Sequence, residues 1–180
     1  MDGNAIEKEK KALLQIYGAL GASLILSVVP TIAAAALSLI LLTGVMIAAY
    51  VMRKKHEIGS LSANHMTFII RTIWISSLFA IVTMTIGCAY LLAFIDNTPL
   101  SPCISHLMNL GTQAASMDMM ALMRVFDPCL DDYTTINMKA FIVSGFIAAA
   151  PILIYFLVRY VRGLSRAMKG YRVAKPLSWL

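Results

Sequence analysis

Residues 12–52 decide the fold, and they read ALLQIYGALGASLILSVVPTIAAAALSLILLTGVMIAAYVM. No Asp, Glu, His, Lys or Arg interrupts this segment, which would measure about 60 Å as a single helix. The hydrocarbon core of a bilayer is only about 30 Å thick, so the segment has to fold back on itself. Pro30 marks the turn, since proline ends the helix before it and can begin the next one. The sequence therefore predicts two helices, over residues 12–29 and 31–52.

Two further apolar segments follow, at residues 70–95 and 140–158. Of the 180 residues, 59% are apolar and 13% charged, whereas soluble domains have roughly half and a quarter. Each segment has the length of about 20 residues that crossing a bilayer requires. We therefore expect an all-α integral membrane protein, a single membrane domain over residues 1–180 with four transmembrane helices.

The charges predict how these helices are oriented. The connection 52–71 holds four basic residues against Glu57, and the tail 159–180 holds six basic residues and no acidic one. The loop 96–138 instead holds five aspartates and a single basic residue, Arg124. Because basic loops stay on the cytoplasmic side, both termini are expected on the cytoplasmic side of the membrane. The net charge of +6 then indicates contact with anionic lipids, and no recognition motif predicts a nucleic-acid partner.

The exterior loop 96–138 carries two cysteines, Cys103 and Cys129, each beside a proline. Thiols oxidise in this compartment, so we expect a disulfide between them, with Cys88 free inside the third helix. A disulfide needs Cα atoms within about 7 Å, but an unbroken helix between the two cysteines would hold them about 35 Å apart. The loop should therefore be an extra-membrane helical hairpin between helices 3 and 4, broken at Gly111-Thr112, with arms at residues 103–110 and 113–126.

Methionines are dense in the second arm of this hairpin. Methionine fills irregular hydrophobic contacts, so the cluster predicts a docking surface for a partner. Thioethers at close spacing also suit copper(I), which is the alternative interpretation, although no His or Cys shares the spacing. We expect no cofactor and no metal. The proposed docking residues are Met117, Met119, Met120 and Met123.

No Asp, Glu, His, Lys or Arg lies within residues 12–52, 72–95 or 140–158. Proton relays and coupled transport depend on such groups, so a proton-driven transporter is not expected. The third helix carries only a hydroxyl row, whose usual role is bonding to its own helix or to a neighbouring one. The members of this row are Thr72, Ser76, Ser77, Thr83 and Thr85.

An aromatic and basic face is predicted where the third helix enters the membrane. His65, Arg71 and Trp74 recur there at helical spacing. No second ligand stands at metal-binding distance from His65, which favours packing or hydrogen bonding over catalysis or metal binding. At the other basic segment, Arg159, Arg162 and Trp179 are expected to contact lipid headgroups.

Two short motifs resemble a known family. The string HMTFIIRTIW, with His65, Arg71, Thr72 and Trp74, is similar to His-Phe-x-x-x-x-Arg-Thr-Phe-Trp in a family of small bacterial inner-membrane proteins of unassigned function. That family is distantly similar to a membrane subunit of the chloroplast inner-envelope translocon. The end of the chain resembles its Arg-x-x-Arg-Gly-Leu followed by a basic tail ending near a Trp, and the matching residues are Arg159, Arg162, Gly163, Leu164 and Trp179. The loop 96–138 departs from the family, which places a short turn there.

Two functions are compatible with this sequence. The first is a non-catalytic accessory or assembly subunit that docks through its exterior loop onto a larger integral-membrane complex. The second, which the resemblance implies, is a pore-forming or protein-translocation component. An enzyme is not expected, because His106, Asp127, Asp131 and Asp132 match no acid–base or metal template.

Overall fold

The computed structural model describes residues 3–57 and 59–179, and it places the side chains of residues 7–57, 59–113 and 116–179. Residues 1, 2 and 180, at the ends of the predicted domain, lie outside the described residues. Within the described part all regular secondary structure is helical, which confirms the all-α prediction. The helices are α1 (Gly3–Ser27), α2 (Ile32–Lys55), α3 (Leu61–Phe94), α4 (Ser101–Leu110) and α5 (Met119–Met168), with 3-10 turns at Thr98–Leu100 and Gly111–Ser116.

The predicted turn at Pro30 is present between α1 and α2. Thr31 is extended, and its hydroxyl oxygen accepts the Ala34 backbone N–H at 3.2 Å, which caps the start of α2. At its other end α2 finishes with Arg53, Lys54 and Lys55, whose charges suit the negative pole of a helix C-terminus.

Among the described residues, three helices are long and apolar enough to cross a membrane, namely α2, α3 and α5. The chain is therefore a membrane protein, as predicted. The first helix does not reach that standard by itself, because charged residues at positions 7–11 occupy its early turns. Its apolar part begins only at Ala12, so a crossing by α1 has to be argued from its contacts.

The later helices are longer than predicted. Helix α3 begins at Leu61, well before residue 70, and α5 continues without interruption from Met119 to Met168. The expected separation between a loop arm ending at residue 126 and a membrane helix beginning at residue 140 is therefore wrong. Pro128 and Pro151 both lie inside α5, where each removes one backbone hydrogen bond. A proline can remain in a helix when packing on either side of it holds the backbone in place.

The chain forms two compact units, Met1–Ala80 with Ile152–Leu180, and Ile81–Pro151. The core of the first unit is built from α1, α2, the start of α3 and the end of α5. Its buried members are Leu13, Tyr17, Leu20, Val45, Ala49, Met66, Ile69, Ile70, Ile73, Phe156 and Ala167.

The second unit contains the predicted disulfide. Cys103 and Cys129 are bonded, with their Cα atoms 6.3 Å apart, and Cys88 is a free, exposed cysteine. Helix α4 ends at Gly111, whose φ of 52° lies in the left-handed region that favours glycine. The predicted break is thus present. The chain between the two cysteines, which we call the stapled segment, consists of α4, a 3-10 turn and the start of α5, so its second arm is not an independent helix.

Candidate functional site

The end of the chain folds back onto the first unit. Helix α5 stops at Met168, and Gly170 adopts a φ of +71°, which lets the chain reverse. The Gly170 and Tyr171 N–H groups donate to the carbonyls of Ala167 and Arg166, closing the helix end. Residues 169–179, which we call the tail, then lie against α3 and α5 rather than forming the separate surface segment that the sequence favours.

The side chain of Asn64 binds the backbone of the tail near its middle, at Val173. The Asn64 side chain donates from Nδ2 to the Val173 carbonyl at 3.1 Å, and its Oδ1 accepts the Val173 N–H at 2.8 Å. Val173 is buried, so each of these groups would otherwise lack a partner away from water. The paired contact fixes both the position and the direction of the tail.

His65 joins the tail to α1. Its side chain is fully buried, Nε2 lies 2.9 Å from the Tyr171 carbonyl, and Nδ1 lies 3.0 Å from the Tyr17 hydroxyl. A carbonyl only accepts, so Nε2 carries the hydrogen, and in the neutral ring Nδ1 accepts from Tyr17. Both ring nitrogens are therefore engaged. The predicted hydrogen-bonding role fits this geometry, although the ring lies in the interior rather than on a surface face.

Arg159 is the most unusual residue of the site, because its long cationic side chain is 1% exposed. Its Nε donates to the Thr72 hydroxyl at 2.8 Å, and Nη1 donates to the Ser178 carbonyl at 2.7 Å. The guanidinium also lies over the Phe68 ring, 4.1 Å from its centroid. Within the described residues no carboxylate pairs with it, so neutral oxygens and a ring face balance the buried charge. We expected this residue among lipid headgroups, and the structure instead places it inside the unit.

Gly163 permits the close packing beneath Arg159. A Cβ atom at this position would stand 2.5 Å from the Tyr17 hydroxyl and 2.9 Å from the Phe68 ring. The two short motifs found in the sequence thus meet here, with His65 and Thr72 from the first and Arg159 and Gly163 from the second. We call this set of contacts, including the docked tail, the tail-binding cluster.

The other residues expected at the lipid interface lie further out. Trp74 and Trp179 are exposed, and Trp74 donates from its indole nitrogen to the Tyr50 hydroxyl at 3.0 Å. Arg162 is exposed, while the buried Nε of Arg71 makes no hydrogen bond. The structure therefore divides the predicted interface residues into a buried pair, His65 and Arg159, and a more accessible group.

Most hydroxyl groups in the row on α3 donate hydrogen bonds to backbone carbonyls. Thr72, Ser77 and Thr85 each donate to the carbonyl four residues earlier in their own helix. Thr83 donates to the Ala148 carbonyl at 2.9 Å, which links α3 to α5 within the second unit. Ser76 is buried and its hydroxyl makes no hydrogen bond.

A second asparagine, which no sequence pattern indicates, links α5 to the residues that follow α3 in the second unit. Asn137 is buried, its Oδ1 accepts the Asp96 N–H at 2.7 Å, and its Nδ2 donates to the Asp96 carbonyl at 2.8 Å. The Asp96 carboxylate in turn accepts the hydroxyl and the backbone N–H of Thr98, which lowers the pKa of Asp96 below its ordinary value. Asparagine carries no periodic signal, so hydropathy patterns cannot reveal such a clamp.

The methionines of the stapled segment project outward. Met119, Met120 and Met123 are 68%, 65% and 60% exposed, and we call these three the methionine face. Met117 is half-buried and precedes α5. Met119 and Met123 share one side of α5, since they are four residues apart.

The described residues contain no group of three or more His, Cys, Asp or Glu side chains that could hold a metal ion. Comparison with known proteins adds no relative, since the chain matches no protein-family model, no curated protein and no solved structure.

Proposed function

We propose that the protein is a non-catalytic accessory or assembly subunit of a larger membrane complex, embedded by four helices in a bacterial inner membrane. The support for a fourth span comes from α1. Near its start Glu9 lies 3.2 Å from His56 at the end of α2, and near its end the Ser23 carbonyl accepts the Ser38 hydroxyl at 2.7 Å. Helix α1 therefore runs antiparallel along most of α2, which supports a crossing by α1 beside α2.

Four spans place both termini on one side of the membrane. The basic end of α2 and the basic tail then share that side, which the positive-inside rule assigns to the cytoplasm. The stapled segment, with its disulfide, falls on the oxidising side. The orientation and the redox chemistry of the cysteines thus agree.

The methionine face is the observation that carries the docking role. Three adjacent large apolar side chains are exposed on α5 before Lys139, in the part of the helix that precedes the uncharged stretch 140–158. The disulfide holds this part of α5 against α4, so the surface is already ordered before a partner binds. Such a surface suits an apolar helix face on another membrane subunit, just outside the bilayer.

Paired substitutions test this role in the native host. Replacing Met119 and Met123 with Glu should abolish co-purification of the partner complex in mild detergent. Replacing the same two residues with Leu should preserve it, because the apolar surface remains. Asp132→Asn is the matched control, since position 132 lies on the opposite side of α5 and is also exposed.

The Leu variant also separates docking from copper chemistry. Leucine keeps the apolar area but removes the thioethers that copper(I) requires. Loss of co-purification with Leu, together with loss of bound copper, would support the metal site in place of docking. A wild-type protein that is a monodisperse monomer without any co-purifying complex would contradict the accessory role.

A pore-forming or translocation component, implied by the family resemblance, is the alternative function. It requires a water-lined path, and the hydroxyl row of α3 is the candidate lining. Most of these hydroxyls donate to backbone carbonyls, which supports packing more than conduction. If the alternative is right, replacing Thr72, Ser76, Thr83 and Thr85 with Ala or Val abolishes conductance in planar bilayers.

A further inference from the structure

We propose that a cavity between the end of α5 and the tail binds a phosphate group, in the form of a phosphomonoester or inorganic phosphate. The cavity has a volume of about 210 Å³. Arg162, Arg166 and Lys175 line it, and no acidic residue does. The site is separate from the methionine face, and its existence does not depend on the docking role.

The three cations lack anionic partners. The described residues contain one ion pair, between Glu9 and His56, and it involves none of the three. Arg166 donates to the Arg172 carbonyl at 2.9 Å, a contact that positions its side chain without neutralising the charge. Three like charges around one cavity repel each other, and a bound dianion would remove that cost.

The dipole of α5 does not account for this arrangement. Cations near a helix C-terminus are stabilised only within the last turn, and this explains Arg166 alone. Arg162 lies two turns before the end of the helix, and Lys175 belongs to the tail beyond it. The cavity therefore brings together positive charges from α5 and from the tail, and the described residues provide no anionic partner for these charges.

The tail-binding cluster gives the cavity a rigid wall. Phe68 and Ser178 line the cavity and also contact Arg159, which stacks on the Phe68 ring and donates to the Ser178 carbonyl. Arginine binds phosphate oxygens with two parallel N–H groups, and lysine adds a compact charge. A phosphomonoester carries a charge of about −1.5 to −2 at neutral pH, which fits three cations better than the single charge of a phosphodiester.

Binding by the full-length protein in nonionic detergent tests the proposal. Native mass spectrometry would count bound phosphatidic acid, a phosphomonoester lipid, against phosphatidylglycerol, a phosphodiester lipid. Isothermal titration with inorganic phosphate would test the soluble source of the same chemistry. The two test substitutions are Arg162→Gln with Lys175→Gln. The control is Lys169→Gln with Arg172→Gln, which removes the same charge from the same region but leaves the cavity lining intact.

We expect one phosphatidic acid per chain and a loss of affinity of at least about tenfold in the test variant, since each lost charge-assisted contact weakens binding by about that factor. The control should bind within about threefold of the wild type, because exposed charges that do not touch the ligand are screened. Binding of inorganic phosphate with the same dependence on the variants supports the site and identifies a soluble source. Equal losses in both variants, equal binding of the two lipids, or no binding of either phosphate probe would overturn the proposal.

Discussion

Removing the Asn64 side chain should release the tail while leaving the helical bundle folded. In Asn64→Ala the Val173 N–H and carbonyl lose both of their contacts with the side chain. The tail keeps the bonds from His65 to the Tyr171 carbonyl, from Arg166 to the Arg172 carbonyl and from Arg159 to the Ser178 carbonyl. These hold the two ends of the tail, so its middle becomes the part that opens.

The size of the effect follows from the two lost bonds. A hydrogen bond between neutral groups contributes a net of about 1 kcal/mol, so the docked tail should lose about 2 kcal/mol. The population of the open tail then rises roughly 30-fold. Trypsin can cleave after Lys169 and Arg172, both within the tail, whereas Pro176 prevents cleavage after Lys175. When opening is fast relative to cleavage, the rate of cleavage follows the open population, so it should rise by the same factor.

Thr67→Ala provides the control for this experiment. The Thr67 hydroxyl donates to the Ala63 carbonyl within α3 and makes no contact with the tail. Cleavage of this variant should match that of the wild type, and the thermal stability of both variants should be alike. If the tail of Asn64→Ala is cleaved no faster than that of Thr67→Ala, the paired contact does not hold the tail and the tail-binding cluster is wrong.

Three further outcomes are expected. Gly163→Ala should lower the free energy of unfolding by about 1–3 kcal/mol through overpacking, measured by thermal melting in detergent, while Gly145→Ala, with open space around it, should not. Alkylation under denaturing, non-reducing conditions should label only Cys88, and labelling of three thiols would show that the disulfide is absent. Replacing Cys103 and Cys129 with Ser should lower the free energy of unfolding by about 3.5 kcal/mol. Protease added outside intact spheroplasts should leave the tail uncut. Cleavage of the tail from outside would show that the predicted orientation in the membrane is wrong.

The features that could be predicted from the sequence depend on free-energy costs set by a residue and its immediate neighbours in the chain. Placing a charged side chain in the bilayer core costs free energy at any position. Long segments without charged residues therefore predict α2, α3 and the membrane part of α5. The break at Gly111 follows from a conformation that glycine adopts without strain. The disulfide follows from the compartment to which the charges assign both cysteines, and its geometry requires a break in the helix between them.

The errors came from residues whose role depends on distant partners. The second arm of the hairpin was predicted to end at residue 126, yet α5 continues through Pro128. Arg159 closes an apolar stretch, and such a residue ordinarily marks the headgroup region. Its partners Phe68 and Thr72 lie more than eighty residues earlier in the chain, so no local window contains them. Met119, Met120 and Met123 are exposed, and their docking function stays a prediction.

The way in which the tail is held explains why no sequence pattern revealed it. His65, Asn64 and Arg159 each donate to a backbone carbonyl of the tail, and Asn64 also accepts a backbone N–H. Because these bonds are made to backbone groups of the tail, they depend on the path of its backbone and hardly on the identity of its side chains. The tail side chains are thereby left available for another purpose, and its cationic side chain at position 175 faces a cavity that two arginines of α5 also line. A tail that is fixed by its backbone and charged on its side chains is suited to hold an anion in place, whereas a loose basic tail would only attract one.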